Sequence, residues 1–400
     1  MDFRFSAEDL KLREEAIAFT KKEWTPGQYD PQILVNWDHQ VEEADQAINE
    51  FEKKLVKQGW WTMHWPSEFG GKDASIESQL VYKEAMAYAG APSSTGGGLV
   101  APALMLSAPK WMQDEFLPKI ANADLEFSQG FSEPDAGSDL ASLKTRAVRD
   151  GDDYVISGQK IWGTYRNPWI HIMVRTDPEA PKHRGITYLL APLRNAEGEF
   201  NPGVTVRKIP DALGRHRWDE LFMENWRVPA RYVLGEENRG WYTAMTTLSF
   251  ERSNIQAAAS MIRAMDDYID YCKDLQKTKK GSPLDDPQFR HQLASLRVEI
   301  ETFRLICYRV GWMQSKGEIP QMESSMVKLW GDLQFQKTYK TMARGLGEYG
   351  NLLPTQKGIK LPVEGFLNNR AFISGTLSVA GGTSEVQRNI IAQRGLGLPR

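Results

Sequence analysis

Cysteine is scarce in this chain. Two of 400 residues, Cys272 and Cys307, are cysteines; they stand far apart without metal-like spacing, which argues against a disulfide framework and fits a reducing compartment. The six histidines stand singly, which argues against a zinc centre. No segment approaches the roughly 18 consecutive apolar residues of a membrane span. A net charge of -3 lacks the basic surplus that nucleic acid or an anionic membrane would call for. The opening MDFRFSAEDLKLREE is acidic and has no apolar run, so neither a signal nor a transit peptide is expected within it, and the expectation is a cytoplasmic location or processing ahead of this numbering.

What remains is a chain with ordinary core-forming content, 41% hydrophobic, long enough for two or three domains. Its patterning divides into helical, strand-rich and again helical parts, expected as domains at 1–125, 126–235 and 236–400, an α+β fold. In the first part Ser6 and Asp9 read as a capping box, helices are expected at 41–58 and 75–89, and Gly90 to Pro92 ends the latter. A turn-rich link between them carries Trp60, Trp61 and Trp65, read as filling gaps between helices. Three glycines, Gly96 to Gly98, precede an apolar segment and are read as a loop or as room for a bulky group. In the middle, short β-branched or aromatic runs at 171–176, 185–191, 204–209 and 220–226 are bounded by turn residues. Long helical segments follow near 241–275, 287–316 and 321–346.

The stretch FSQGFSEPDAGSDLASLKTR, from Phe127 to Arg146, organises the middle part. A strand from Phe127 to Ser132 is stopped by Glu133-Pro134, and Ala136-Gly137-Ser138 must then turn, leaving backbone amides able to face a ligand. Downstream, Ser157-Gly158 reads as a tight turn between two strands, the second delivering Trp162 and Thr164 to the same sheet.

These pieces, with VPARYVLGEENRGW at 228–241, LSFER at 248–252 and GGTSEVQRNIIAQR at 381–394, occur in one order along nearly the whole chain. In that order the sequence resembles the acyl-CoA dehydrogenase family, in the variant of long-chain and isovaleryl-CoA dehydrogenases. The resemblance implies an N-terminal helical domain, a central β-barrel or sandwich domain and a C-terminal four-helix bundle. It further implies FAD as cofactor, an acyl-CoA substrate, a trans-2-enoyl-CoA product and an electron-transfer flavoprotein as acceptor. The assembly it implies is a homotetramer or dimer, or an α2β2 tetramer with a related chain.

The resemblance also distributes roles. Many family members carry the base in the C-terminal loop, where this chain has Gly381. The alternative is a glutamate beside an arginine on the helix after the β domain, here Glu251 and Arg252. Independently, Leu248, Glu251, Arg252, Ile255, Ala259 and Ile262 fall on one helical stripe, so both charges interrupt an apolar face. A buried Glu–Arg salt bridge to other helices would explain that equally; the family motifs favour Glu251 as base, with Arg252 fixing its surroundings or meeting the CoA. By resemblance the Gly381 amide polarises the thioester carbonyl, Phe131, Ser132, Gly137, Ser138, Trp162 and Thr164 face the flavin or its phosphates, and Ser138 also meets substrate. Thr383 and Glu385 open a last helix against FAD, with Ser384 and Gln387 matching a capping box. Two family elements are replaced, by 277–281 and 344–350, which implies either a differently held adenine end of FAD or one incomplete site per subunit pair. A non-catalytic partner subunit, and a flavin acyl-CoA oxidase or desulfinase, stay open as alternatives.

Overall fold

The computed structural model describes residues 4–25, 41–92, 98–212, 216–247, 253–278, 281–352 and 359–399. They form two compact units, 1–34 with 74–93 and 252–400, and 35–73 with 94–251. Packing therefore shares the N-terminal helical stretch between two bodies, although the strands stay within the middle of the chain.

The first unit is helical. Helix α1 (Ala7–Glu23) opens on the expected capping box, with Ser6 Oγ accepting from the Asp9 amide and the Asp9 carboxylate accepting from Ser6. Helix α3 (Ile76–Ala89) is capped by Ser75 and ends on Gly90 in the left-handed conformation, a position that glycine occupies at little cost. The C-terminal helices are α7 (Ile255–Lys277), α8 (Pro287–Ser315), α9 (Gln321–Arg344), α10 (Phe366–Leu377) and the short α11 (Ser384–Ile390). Met261 and Tyr268 of α7, Ile300 and Phe303 of α8, Tyr339 of α9 and Leu367 of α10 bury a shared core that includes Leu80 of α3. Helix α3 reaches α8 closely at Gly311, where a Cβ would stand 2.3 Å from the Leu80 methyl.

The second unit joins α2 (Val41–Gln58), α4 (Ala101–Ser107), α5 (Lys110–Ala121) and α6 (Gly240–Thr247) to a seven-stranded sheet. The strands are β1 (Phe127–Gly130), β2 (Arg146–Asp150), β3 (Asp153–Gly163), β4 (Trp169–Arg175), β5 (Ile186–Pro192), β6 (Val204–Pro210) and β7 (His216–Pro229). Their order is β1-β4-β2-β3-β7-β6, with β5 also on β4; β1 and β2 run parallel to β4 and the other pairs are antiparallel. Trp61 and Trp65 are buried, and the Trp61 indole donates to the Ile120 carbonyl, so these rings do fill helix junctions.

Two expectations are corrected here. Ser157-Gly158 is not a turn between strands: β3 runs through it, and the pairing with β7 shifts register there as a bulge. Gly158 has φ 152°, and a Cβ on it would stand 2.8 Å from the Thr145 Cα, so the glycine serves close approach of two strands instead of chain reversal. The reversal lies at Gly151-Asp152, between β2 and β3. The segment 241–275 is not one helix either. Asn254 is left-handed with φ 47° and α7 starts only after it, which restricts the apolar stripe to Ile255 onward. Leu248, Glu251 and Arg252 lie outside the described residues, as do Gly96 and Gly97.

Candidate active site

The β unit brings four of the expected residues to one region. The Ile161 amide donates to the Ser132 carbonyl at 2.9 Å, and Ser128 Oγ donates to the Thr164 carbonyl at 2.7 Å, which ties the β1 segment to the end of β3. Phe131 is buried, with its ring edge-to-face on His171 and Tyr188 at 5.4 and 5.8 Å. Its ring serves the core and its carbonyl accepts from Lys160. Trp162 behaves in the opposite way. It is 56% exposed and has φ 68°, at a second register shift between β3 and β7. A bulky residue in that backbone region costs of order 1 kcal/mol or more, and such strain clusters at ligand sites.

Glu133 and Ala136 bond each other's main chain across the Pro134-Asp135 turn, and Gly137 and Ser138 emerge exposed beyond it. A Cβ on Gly137 would meet nothing within 4 Å, so the space beside it is open. Beneath lies a feature that sequence reasoning missed. The Glu133 carboxylate accepts from the Lys144 amide at 2.7 Å, the Thr145 amide at 2.8 Å and Lys160 Nζ at 2.9 Å, and Lys160 is completely buried. Burial pushes the Glu133 carboxyl up, but Lys160 and the other donors outweigh it and hold the group below the usual glutamate range. The signal was present: Lys160 falls on the same alternation as buried Tyr154 and Ile156.

The helical unit carries the remaining set. Gly381 and Gly382 have φ 67° and 95°, two consecutive left-handed positions that suit glycine. The Ala380 amide donates to Thr376 and the Ser384 amide to Ser378, while among the described residues the Gly381 amide donates to none. The expected capping box is corrected. Thr383, not Ser384, caps α11 by accepting from the Val386 amide at 3.2 Å, and Gln387 donates its side-chain amide to the Gly382 carbonyl. Only Thr383 has the extended backbone a cap requires, because Ser384 is already helical. Among the described residues Ser384 Oγ is buried without a partner, and Glu385 is exposed and pairs with Arg388 at 3.4 Å.

Within the β unit, an exposed indole held in strained backbone and an open turn lined by Gly137 fit a group with a flat apolar ring and a phosphate-bearing tail. Among the described residues no cluster of His, Cys, Asp and Glu could hold a metal ion, and no helix is long and apolar enough to cross a membrane.

Comparison with known proteins agrees along the entire chain. Family profiles described as acyl-CoA dehydrogenase N-terminal domain, middle domain and C-terminal domain match residues 6–124, 128–226 and 238–396. Acyl-CoA dehydrogenase FadE26 of Mycobacterium tuberculosis is 32% identical over 410 residues, which cover 100% of this chain and 99% of that protein. A solved "Tcur3481-Tcur3483 steroid ACAD" superposes with a TM-score of 0.86 at 30% identity, covering 100% of both chains. The ChsE4-ChsE5 complex from Mycobacterium tuberculosis gives a TM-score of 0.84 at 28% identity, again over 100% of both chains. The chain therefore belongs to the acyl-CoA dehydrogenase family, FAD-dependent flavoprotein oxidoreductases with this three-domain fold.

Proposed function

We propose that this protein desaturates an acyl-CoA thioester to a trans-2-enoyl-CoA, with Glu251 removing the α-proton. The observation that carries the reading is the Gly381 amide, which, with those of Gly382 and Thr383, has no acceptor among the described residues while the flanking Ala380 and Ser384 amides are engaged. An α-proton becomes acidic only when the developing enolate oxygen is stabilised, and a preorganised backbone donor does this at little reorganisation cost. Bound FAD supplies the acceptor for the hydride that leaves the β-carbon.

The chain's own residues divide the remaining work. Trp162, Thr164 and the Ser132 segment would hold the flavin ring, and Gly137 and Ser138 its phosphates. Thr383, Ser384 and Glu385 meet the cofactor from the C-terminal turn. Gly381 has no carboxylate to offer, so the base must come from elsewhere, and Glu251 with Arg252 beside it is the pair that the sequence pattern offers. Arg252 orients that glutamate or contacts the CoA. The acyl group we assign is bulky, supported by the steroid ACAD likeness and by the glycines at 96–98. The electron acceptor we assign is an electron-transfer flavoprotein. The likeness to the ChsE4-ChsE5 complex supports assembly with a related chain.

Replacing Glu251 by Gln tests the base. The variant should keep its yellow flavin and lose at least ~100-fold in kcat, the effect of a missing general base. Turnover at the wild-type rate would dismiss Glu251. A panel of straight, branched and ring-bearing acyl-CoAs with a dye acceptor, followed by flavin bleaching, decides the acyl class.

A further inference from the structure

The loop that carries Gly381 is tethered from α9. Lys328, Asp332 and Gln336 recur every four residues and so share one face of that helix. Lys328 and Gln336 reach the end of α10, and Asp332 holds Lys328. Lys328 Nζ donates to the Leu377 carbonyl at 2.8 Å and pairs with Asp332, while Gln336 donates to the Ser378 hydroxyl. Leu377 is the last residue of α10 and Ser378 its C-cap, three residues before Gly381. The Lys328 side chain then passes directly beneath the glycine, its Cε 3.5 Å from where a Cβ on Gly381 would stand. An ammonium at a helix C-terminus is well placed, since it meets an orphan carbonyl and the negative end of the helix dipole.

We propose that Lys328 is a positioning residue for the amide of Gly381: acting through the Leu377 carbonyl, and itself oriented by Asp332, it sets where the 378–383 loop presents that donor. The proposal rests on the reading of Gly381 given under Proposed function. Lys328 touches neither the reacting atoms nor the base in this scheme. Its contribution is placement, and a donor misplaced by about 1 Å forfeits much of its effect on the transition state while leaving ground-state binding nearly intact. Asp332 is buried and Lys328 is partly exposed, so the carboxylate anchors the pair to the helix and the lysine spans to the loop.

The test uses the holoenzyme and a 3-oxoacyl-CoA, whose bound enolate gives a long-wavelength charge-transfer band with the flavin and so reports carbonyl polarisation without turnover. Lys328→Met should retain full flavin content and melt within a few degrees of wild type. Its KM should stay within about threefold while kcat falls about tenfold, and the band should weaken and require higher pH to develop. Lys328→Arg, which keeps a cationic donor, should recover most of the band. Should Lys328→Met fail to fold, Gln336→Leu removes the neighbouring tether and is expected to show the same split of kcat from KM. A wild-type protein that binds the analogue without the band sinks the carbonyl-polarising reading, and the tether with it. A wild-type band that Lys328→Met leaves at full strength and at the wild-type pH overturns the tether alone, as does a loss of rate that only tracks lost flavin or a lower melting temperature.

Discussion

Each unit of this protein places a lysine–carboxylate pair under a glycine-bearing loop of the proposed site, and the two pairs ionise differently. Under the Gly137-Ser138 turn, Lys160 and Glu133 are 0% and 8% exposed, and the carboxyl is held below its usual range. Under the Gly381 loop, Lys328 and Asp332 are 26% and 7% exposed, and burial pushes the Asp332 carboxyl up to about 6 against the pull of Lys328. Depth does not separate them, because the more deeply buried lysine belongs to the more acidic carboxyl. Donor number does. Glu133 receives two backbone amides besides its lysine, whereas the hydrogen bond described for Asp332 comes from Lys328 alone. A carboxylate in a protein interior keeps its charge when several donors replace its lost water.

The widest gap should appear when each lysine is removed. Lys160→Met strands the Glu133 charge where water does not reach, a change that costs about 3–5 kcal/mol, and flavin retention should fall with it because the same carboxylate pins the loop. Replacing Glu133 by Leu as well should not restore the protein fully, since the Lys144 and Thr145 amides then lose their acceptor. Urea unfolding near pH 7 reads both. A Lys160→Met loss under 1 kcal/mol would break the comparison at its stronger end.

A smaller effect follows from pH, with opposite signs at the two sites. Asp332 has its folded pKa raised above the unfolded 3.8, so its contribution is fully present below about pH 4 and is lost as pH rises through about 6. Glu133 is lowered from 4.5, so its contribution is present above that value and lost as pH falls through its folded pKa. Asp332→Asn should therefore flatten the stability profile between pH 4 and 6, by on the order of 2 kcal/mol relative to wild type. Unfolding free energies measured at intervals across that window check it, and a wild-type profile that rises from pH 4 to 6 at this site reverses the assignment.

The sequence disclosed the parts of this molecule that local pattern governs. The capping box at Ser6, the α2 and α3 boundaries and the strands from 169 onward follow from periodicity and turn residues over short spans. Gly158 was misread because a Ser-Gly pair signals a turn only when nothing pairs across it, whereas the β2–β3 hairpin already reverses at Gly151-Asp152 and lays Thr145 against Gly158. The break at Asn254 was invisible for a related reason: the hydrophobic stripe continues across it while the backbone does not. The Glu133–Lys160 clamp could not be read as a pair, since its members are 27 residues apart and meet only when β3 lies beside the 133–145 loop. Recognition of the motifs supplied the candidate site residues, and only folding showed that Phe131 turns its ring inward while Trp162 turns outward.

The smallest expected effect tests donor counting from the other side. Thr383 Oγ is one acceptor for one amide, that of Val386 at 3.2 Å, at the half-buried start of a seven-residue helix. Thr383→Val keeps the shape and removes the acceptor, which ordinarily costs about 1 kcal/mol. Here the Gln387 side chain still ties the first turn to the Gly382 carbonyl, and water can reach a half-buried amide, so the loss should fall near the lower end, about 0.5 kcal/mol. In holoenzyme unfolding this is barely resolvable beside Lys160→Met. If the two variants lost comparable stability, a single solvated cap would equal a buried charge with three donors, and the number of donors could not be what sets the two clamps apart.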